Sequence, residues 1–146
     1  LYDVETQIPA FFHITEASVH DSKVMIEIPY EPNSYYIFDR GYNNFKMLYK
    51  IHQIEAYFVV RAKKNLGYKS IQWKCRLPKN ALSDASVLLT GFYPKQYYPE
   101  PLRLVKYWDE EQEREFTFIT NATHISALQV AELYKNRWQV ELLFSV

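Results

Sequence analysis

Apolar residues along this chain fall mostly into short runs rather than long one-sided stripes. Tyr35–Phe38 (YYIF) is continuously apolar, and residues 56–62 (AYFVVRA) nearly so. Short apolar runs bounded by turn residues are the mark of strands buried on both faces. Residues 10–17 (AFFHITEA) read as a further strand, and residues 1–4 as the end of one that turns at 3–6. Asp21 is placed to cap a short helix over 22–28, because its carboxylate can accept the free amides of a first turn. Asn43-Asn44 is placed to cap a second helix from about Phe45 to Gln53. Strand, helix, strand, helix, strand predicts an α/β core, a mixed sheet covered by helices.

After Asn65-Leu66-Gly67 the pattern changes. Residues 68–77, 86–93, 102–108 and 115–120 read as strands of a hairpin-type module. Pro78, Pro94, Pro99, Pro101 and an acidic turn over 109–114 separate them. Ser126-x-x-Gln129 then resembles a capping box and opens a helix that runs to the end of the chain. The expected organisation is a core over 1–65, a mostly β insertion over 66–122, and a final core helix over 123–146.

Composition narrows the chemistry. A chain of 146 residues, 48% hydrophobic with 3 glycines, is a folded domain rather than a disordered or fibrous one. No apolar run reaches the length of a membrane span. Cys75 is the only cysteine, which excludes an internal disulfide and a cysteine-built zinc site, and a reducing, cytoplasmic compartment is expected. His13, His20, His52 and His124 lack zinc-ligand spacing, and the absence of a glycine-rich phosphate loop argues against an ATPase or kinase. Formal net charge is zero, yet residues 40–79 hold ten Lys/Arg against Glu55 alone, a local +9. Such a block can attract a polyanion. An ordinary solvated face is the alternative.

The last helix concentrates the candidate chemistry. At 100° per residue, Tyr134, Arg137 and Glu141 fall within about 60° of one another, in a sector shared with Val130, Ala131 and Trp138. An Arg and a Glu on an inward face are costly unless they pair or bind something. An i,i+4 ion pair and a binding site are both open readings of that face. Asp39 closes a buried strand just before a glycine turn, at the sheet edge where α/β proteins bind ligands. Two carboxylates facing one cleft could hold Mg²⁺, which takes hard oxygen ligands.

Tyr134-x-x-Arg137-x-x-x-Glu141 resembles the tyrosine–arginine–glutamate–lysine signature of the DDE transposases of bacterial insertion sequences, family four. Tyr36-Ile37-Phe38-Asp39-Arg40-Gly41-Tyr42 resembles the segment holding that family's second catalytic aspartate. Phe58-Val59-Val60-Arg61-Ala62-Lys63 is similar to its following strand, and Ala17-x-x-His20-Asp21-Ser22 to the approach to the aspartate. The resemblance implies a ribonuclease-H-like mixed sheet with flanking helices, interrupted by a β insertion. It implies Asp39 and Glu141 as catalytic, metal-binding carboxylates for two Mg²⁺ ions, with Mn²⁺ able to substitute. It further implies that Tyr134 and Arg137 hold phosphate, and that Arg61, Lys63 and Lys64 contact the DNA backbone.

The partners implied are double-stranded DNA at insertion-sequence ends and target, and a second copy in a dimeric synaptic complex. The family's first aspartate is expected before Leu1 and its signature lysine beyond Val146. This stretch by itself is therefore expected not to cut DNA. Two other readings are a catalytically inactive DNA-binding or assembly module, and a ribonuclease-H-like nuclease without strand transfer. Trp73 and Trp108, in the insertion, could face an unstacked base or pack on the sheet.

Overall fold

The computed structural model describes residues 12–15, 30–38 and 44–135. Its strands are β1 (Phe12–Thr15), β2 (Tyr35–Phe38), β3 (Tyr57–Arg61), β4 (Tyr68–Trp73), β5 (Ala81–Leu89), β6 (Leu102–Asp109) and β7 (Arg114–Thr120). Its helices are α1 (Phe45–Gln53), α2 (Phe92–Tyr97) and α3 (Ala127–Lys135). The strand expected over 1–4, the helix expected over 22–28 and the far part of the last helix lie outside the described residues.

One seven-stranded sheet runs in the order β1-β2-β3-β7-β6-β5-β4. β1, β2 and β3 are parallel, and a parallel pair needs a crossover, which α1 supplies between β2 and β3. β3 pairs antiparallel with β7, and β7, β6, β5 and β4 continue as an antiparallel meander. The strands of the segment read as an insertion thus extend the same sheet. The result is a mixed α/β architecture, consistent with a ribonuclease-H-like fold.

Tyr35, Tyr36, Ile37 and Phe38 are all fully buried, as a two-face strand requires. Alternation along β2 sends Tyr36 and Phe38 to one face, with Phe58, Val60, Leu104, Ile119 and the α1 side chains Leu48 and Ile51. It sends Tyr35 and Ile37 to the other, with Val59, Phe116, Phe118 and the α3 side chains Val130, Ala131 and Tyr134. Each fully buried Leu, Ile or Phe of these layers contributes about 1.5–3 kcal/mol relative to exposure. α1 starts where its cap predicts: the Asn44 side-chain oxygen accepts from the Met47 amide at 3.2 Å.

Two expectations need correction. The strand expected over 86–93 lies at Ala81–Leu89, and Phe92–Tyr97 is helix. β5 begins early because β6 pairs along its polar first half (Ser83, Asp84) and holds it in extended form, while β4 joins from Ala85 onward. Thr90 ends it, its amide bonding the Gly67 carbonyl at 3.1 Å. A side chain at Gly67 would meet the Thr90 hydroxyl at 2.9 Å, so the two strand ends approach closely because residue 67 has none. Pro94, expected between two strands, stands in the first turn of α2, where a helix needs no amide donor. Past α2, Tyr98 is fully buried between Tyr49, His52 and Phe58, and burial pushes its phenol well above the usual tyrosine range.

Candidate nucleic-acid interface

β2 and β3 reach the same edge of the sheet together, Phe38 pairing with Val60. In sequence these are the residues before Asp39 and before Arg61. Asp39, Arg137 and Glu141 lie outside the described residues, and so does the expected approach of the two carboxylates. Arg61, Lys63, Lys64 and Tyr134 are described, and two of them meet around one ring. The Arg61 guanidinium carbon lies 5.0 Å from the centroid of Phe116. Tyr134 packs against that ring at 5.8 Å and against Phe118 at 4.9 Å. Tyr134 is 5% exposed, so its ring is a core element of this face.

Lys63 and Lys64 are exposed on the connection that follows β3. With Arg61 they line a groove of about 260 Å³, shared with Lys106 of β6 and Arg114 of β7, and Glu115 is its one acid. Among the described residues none of these five bases is in an ion pair. Five cations around one open groove make a surface suited to a polyanion. Trp73 is 63% exposed and Trp108 38%, so both insertion tryptophans keep ring surface in solvent. No three His, Cys, Asp or Glu come together as a metal site among the described residues.

The position of α3, and with it Tyr134, is set by contacts that pattern reading missed apart from its cap. The capping box forms: the Gln129 amide donates to the Ser126 hydroxyl at 3.1 Å, and the Ser126 amide to the Gln129 side-chain oxygen at 2.9 Å. Arg103 of β6 is 5% exposed and reaches into the approach to this helix, donating to the Ala122 and Ile125 carbonyls at 3.0 and 2.6 Å. Its other donors grip Asp84 of β5 with two parallel bonds, at 2.8 and 2.6 Å. Burial opposes charge on Asp84. The hydrogen bonds and charge of Arg103, helped by Lys74, win and hold the carboxyl below the ordinary carboxylate range.

Asn121 joins the same approach to β3, accepting from the Phe58 amide at 2.9 Å and donating to the Ala56 carbonyl at 2.8 Å. His124 hydrogen-bonds the Tyr35 hydroxyl. Burial, then the charge of Arg103, lowers the His124 pKa below its ordinary value. Lys135 of α3 lies 3.7 Å from the buried carboxylate of Asp109. One sequence signal could have exposed the central pair. Asp84 and Arg103 are opposite charges at inward positions of two adjacent strands.

A mixed α/β sheet, consistent with a ribonuclease-H-like fold, carries this basic groove at one strand edge. Residues 1–146 match the family model described as Transposase DDE domain, and the chain belongs to that family. It is 34% identical over 151 residues to a protein of Sinorhizobium fredii named as a transposase, y4zB, covering 99% of this chain and 41% of that one. It is 25% identical over 143 residues to a protein of Geobacillus stearothermophilus named as a transposase for insertion sequence element IS5377, covering 98% and 38%. The chain therefore spans about two fifths of the length of these curated relatives. No helix among the described residues is long and apolar enough to cross a membrane.

Proposed function

We propose that this chain is part of the catalytic domain of an insertion-sequence transposase of family four, whose parent protein cleaves DNA phosphodiesters and transfers the strands. The relatives support a transposition role, and one observation in the fold supports the active edge. Phe38 pairs with Val60, so the residues that lead into Asp39 and into Arg61 are neighbours at one strand edge. Tyr134 packs against the ring that Arg61 covers.

In this reading Asp39 and Glu141 are metal-holding carboxylates, and the donor set fits Mg²⁺ or Mn²⁺ because both residues offer hard oxygen atoms. DDE transposases typically use a divalent metal, which when bound activates the attacking oxygen and stabilises the leaving one. The chain's own contribution is orientation. Arg137 presents a planar fork of donors to the scissile phosphate, with Tyr134 beside it. Arg61, Lys63 and Lys64 hold the flanking backbone by charge, without reading sequence. The attacking group is water for cleavage and a 3′-hydroxyl for strand transfer, entering in line with the leaving oxygen. The partners are double-stranded insertion-sequence ends and target DNA, with a second copy in the synaptic complex.

The test uses the parent protein with Mg²⁺ or Mn²⁺ and DNA carrying the element's own ends. Metal-dependent nicking and joining are expected, both abolished by Asp39→Asn and by Glu141→Gln while DNA binding persists. Cleavage that survives Asp39→Asn would remove this residue from the active site. Binding without cleavage under any divalent metal would instead identify an inactive DNA-binding module.

A further inference from the structure

Phe116 holds two guanidiniums rather than one. The Arg61 guanidinium carbon is 5.0 Å from the ring centroid and that of Arg114 is 4.7 Å. Arg61 ends β3 and Arg114 begins β7, so residues from two strands far apart in the sequence converge on one side chain. Phe116 itself is fixed: it is 5% exposed, stacks on Phe118 at 6.0 Å and is braced by Tyr134. Arg114 is exposed and Arg61 half-buried, and both line the groove that also holds Lys63, Lys64 and Lys106.

Like charges gathered on one ring repel, and the ring's negative face offsets only part of that. A carboxylate would settle the arrangement, but among the described residues neither arginine is ion-paired. The neighbouring acids are otherwise directed. Asp109, opposite Arg114 in the β6–β7 register, is buried and turned to Lys135 at 3.7 Å and to the Glu111 amide at 3.0 Å. Glu110 of the adjacent turn lies 3.6 Å from Lys79. Glu115 lines the same groove, but strand alternation puts its side chain on the other side of β7 from Arg114, and it pairs with neither arginine. What completes such a pair is an anion with several acceptor oxygens, met by two planar donor forks.

We infer that Arg61, Phe116 and Arg114 form a clamp for a backbone phosphodiester, with Arg114 a DNA-contacting residue and Phe116 the positioning residue that holds both guanidiniums. The inference rests on the DNA-processing reading above and adds a contact from the β7 side of the groove. The clamp grips one phosphate from two strands, whereas Lys63 and Lys64 supply only general attraction.

The experiment measures affinity of the parent protein for a fluorescently labelled duplex by anisotropy between about 50 and 200 mM salt. Arg114→Ala is expected to flatten the slope of log K against log salt by about 0.9, the value for one lost phosphate contact. Arg114→Lys and Phe116→Leu both keep the charge. They are expected to leave the slope unchanged while weakening binding about threefold, because fork and ring are lost. Arg114 is on the surface, so the lysine variant carries the test if Phe116→Leu fails to fold. The double variant Lys63→Ala/Lys64→Ala serves as reference. If it flattens the slope and Arg114→Ala does not, the clamp is wrong and the DNA reading stands. If Arg114→Ala flattens it but Arg114→Lys binds as tightly as the unmodified protein, Arg114 is only a diffuse charge and the clamp geometry is overturned. If the unmodified protein binds no duplex even at low salt, the DNA reading fails and the clamp with it.

Discussion

Asp84 is a carboxylate at a position where the strand pattern asks for an apolar side chain. It is 3% exposed, and it is tolerated because Arg103 satisfies both its oxygens. Removing one partner of such a pair leaves the other charge buried and uncompensated, which costs about 3–5 kcal/mol. Asp84→Asn is therefore expected to lower the unfolding free energy at pH 7 by roughly 3 kcal/mol in urea titrations. The pH dependence has a definite sign. The folded carboxyl is held below its ordinary value of 3.8, so its contribution is complete above that pH and is lost as pH falls through the lower folded value. The gap between the unmodified protein and Asp84→Asn should accordingly close in acid below pH 3.8. A gap that stays constant into strong acid would mean that the charge of Asp84 does not matter. Neither residue stood out in the sequence: Asp84 falls before the strand expected over 86–93, and a charge such as Arg103 on a strand reads as solvent-facing until its partner is known.

At the level of elements, local chemistry decided what could be read. β2 and α1 were legible to the residue: four consecutive apolar side chains define the first, and an asparagine cap followed by helical periodicity defines the second. The Ser126–Gln129 box was legible for the same reason, as its two hydrogen bonds join residues three apart. α2 was not, since six residues around a proline carry too little periodicity to announce a helix. β5 was legible only in its second half, where Val87 and Leu89 enter the core. The capping box also yields a measurable expectation. Ser126→Ala should cost about 1 kcal/mol in denaturant unfolding, and Gln129→Ala somewhat less. The double variant should cost less than the two singly added, because the bonds are reciprocal. Strict additivity would show that the two side chains act independently.

For the whole molecule, the legible part was the α/β class, and the hidden part was how its two halves join. Patterns along a chain report which face a strand buries, not which distant strand lies beside it. The seam between β3 and β7 is made of three residue pairs, Val59 with Thr120, Val60 with Ile119 and Arg61 with Phe118. It is reinforced by Thr120, whose hydroxyl donates to the Phe58 carbonyl at 2.6 Å, and by Asn121. Every other pairing in the meander joins strands that follow one another in the chain. That asymmetry has a consequence for the order of assembly. Hairpins close short loops and form early, whereas the seam must first close a loop containing β4, β5 and β6, which carries a larger entropic cost. In refolding followed by pulsed amide exchange, β5 and β6 should gain protection before β3. Simultaneous protection of all three would show one concerted step. If the order holds, the groove bearing Arg61 and Arg114 is assembled last, because its two walls belong to halves that are stitched together only when the seam closes.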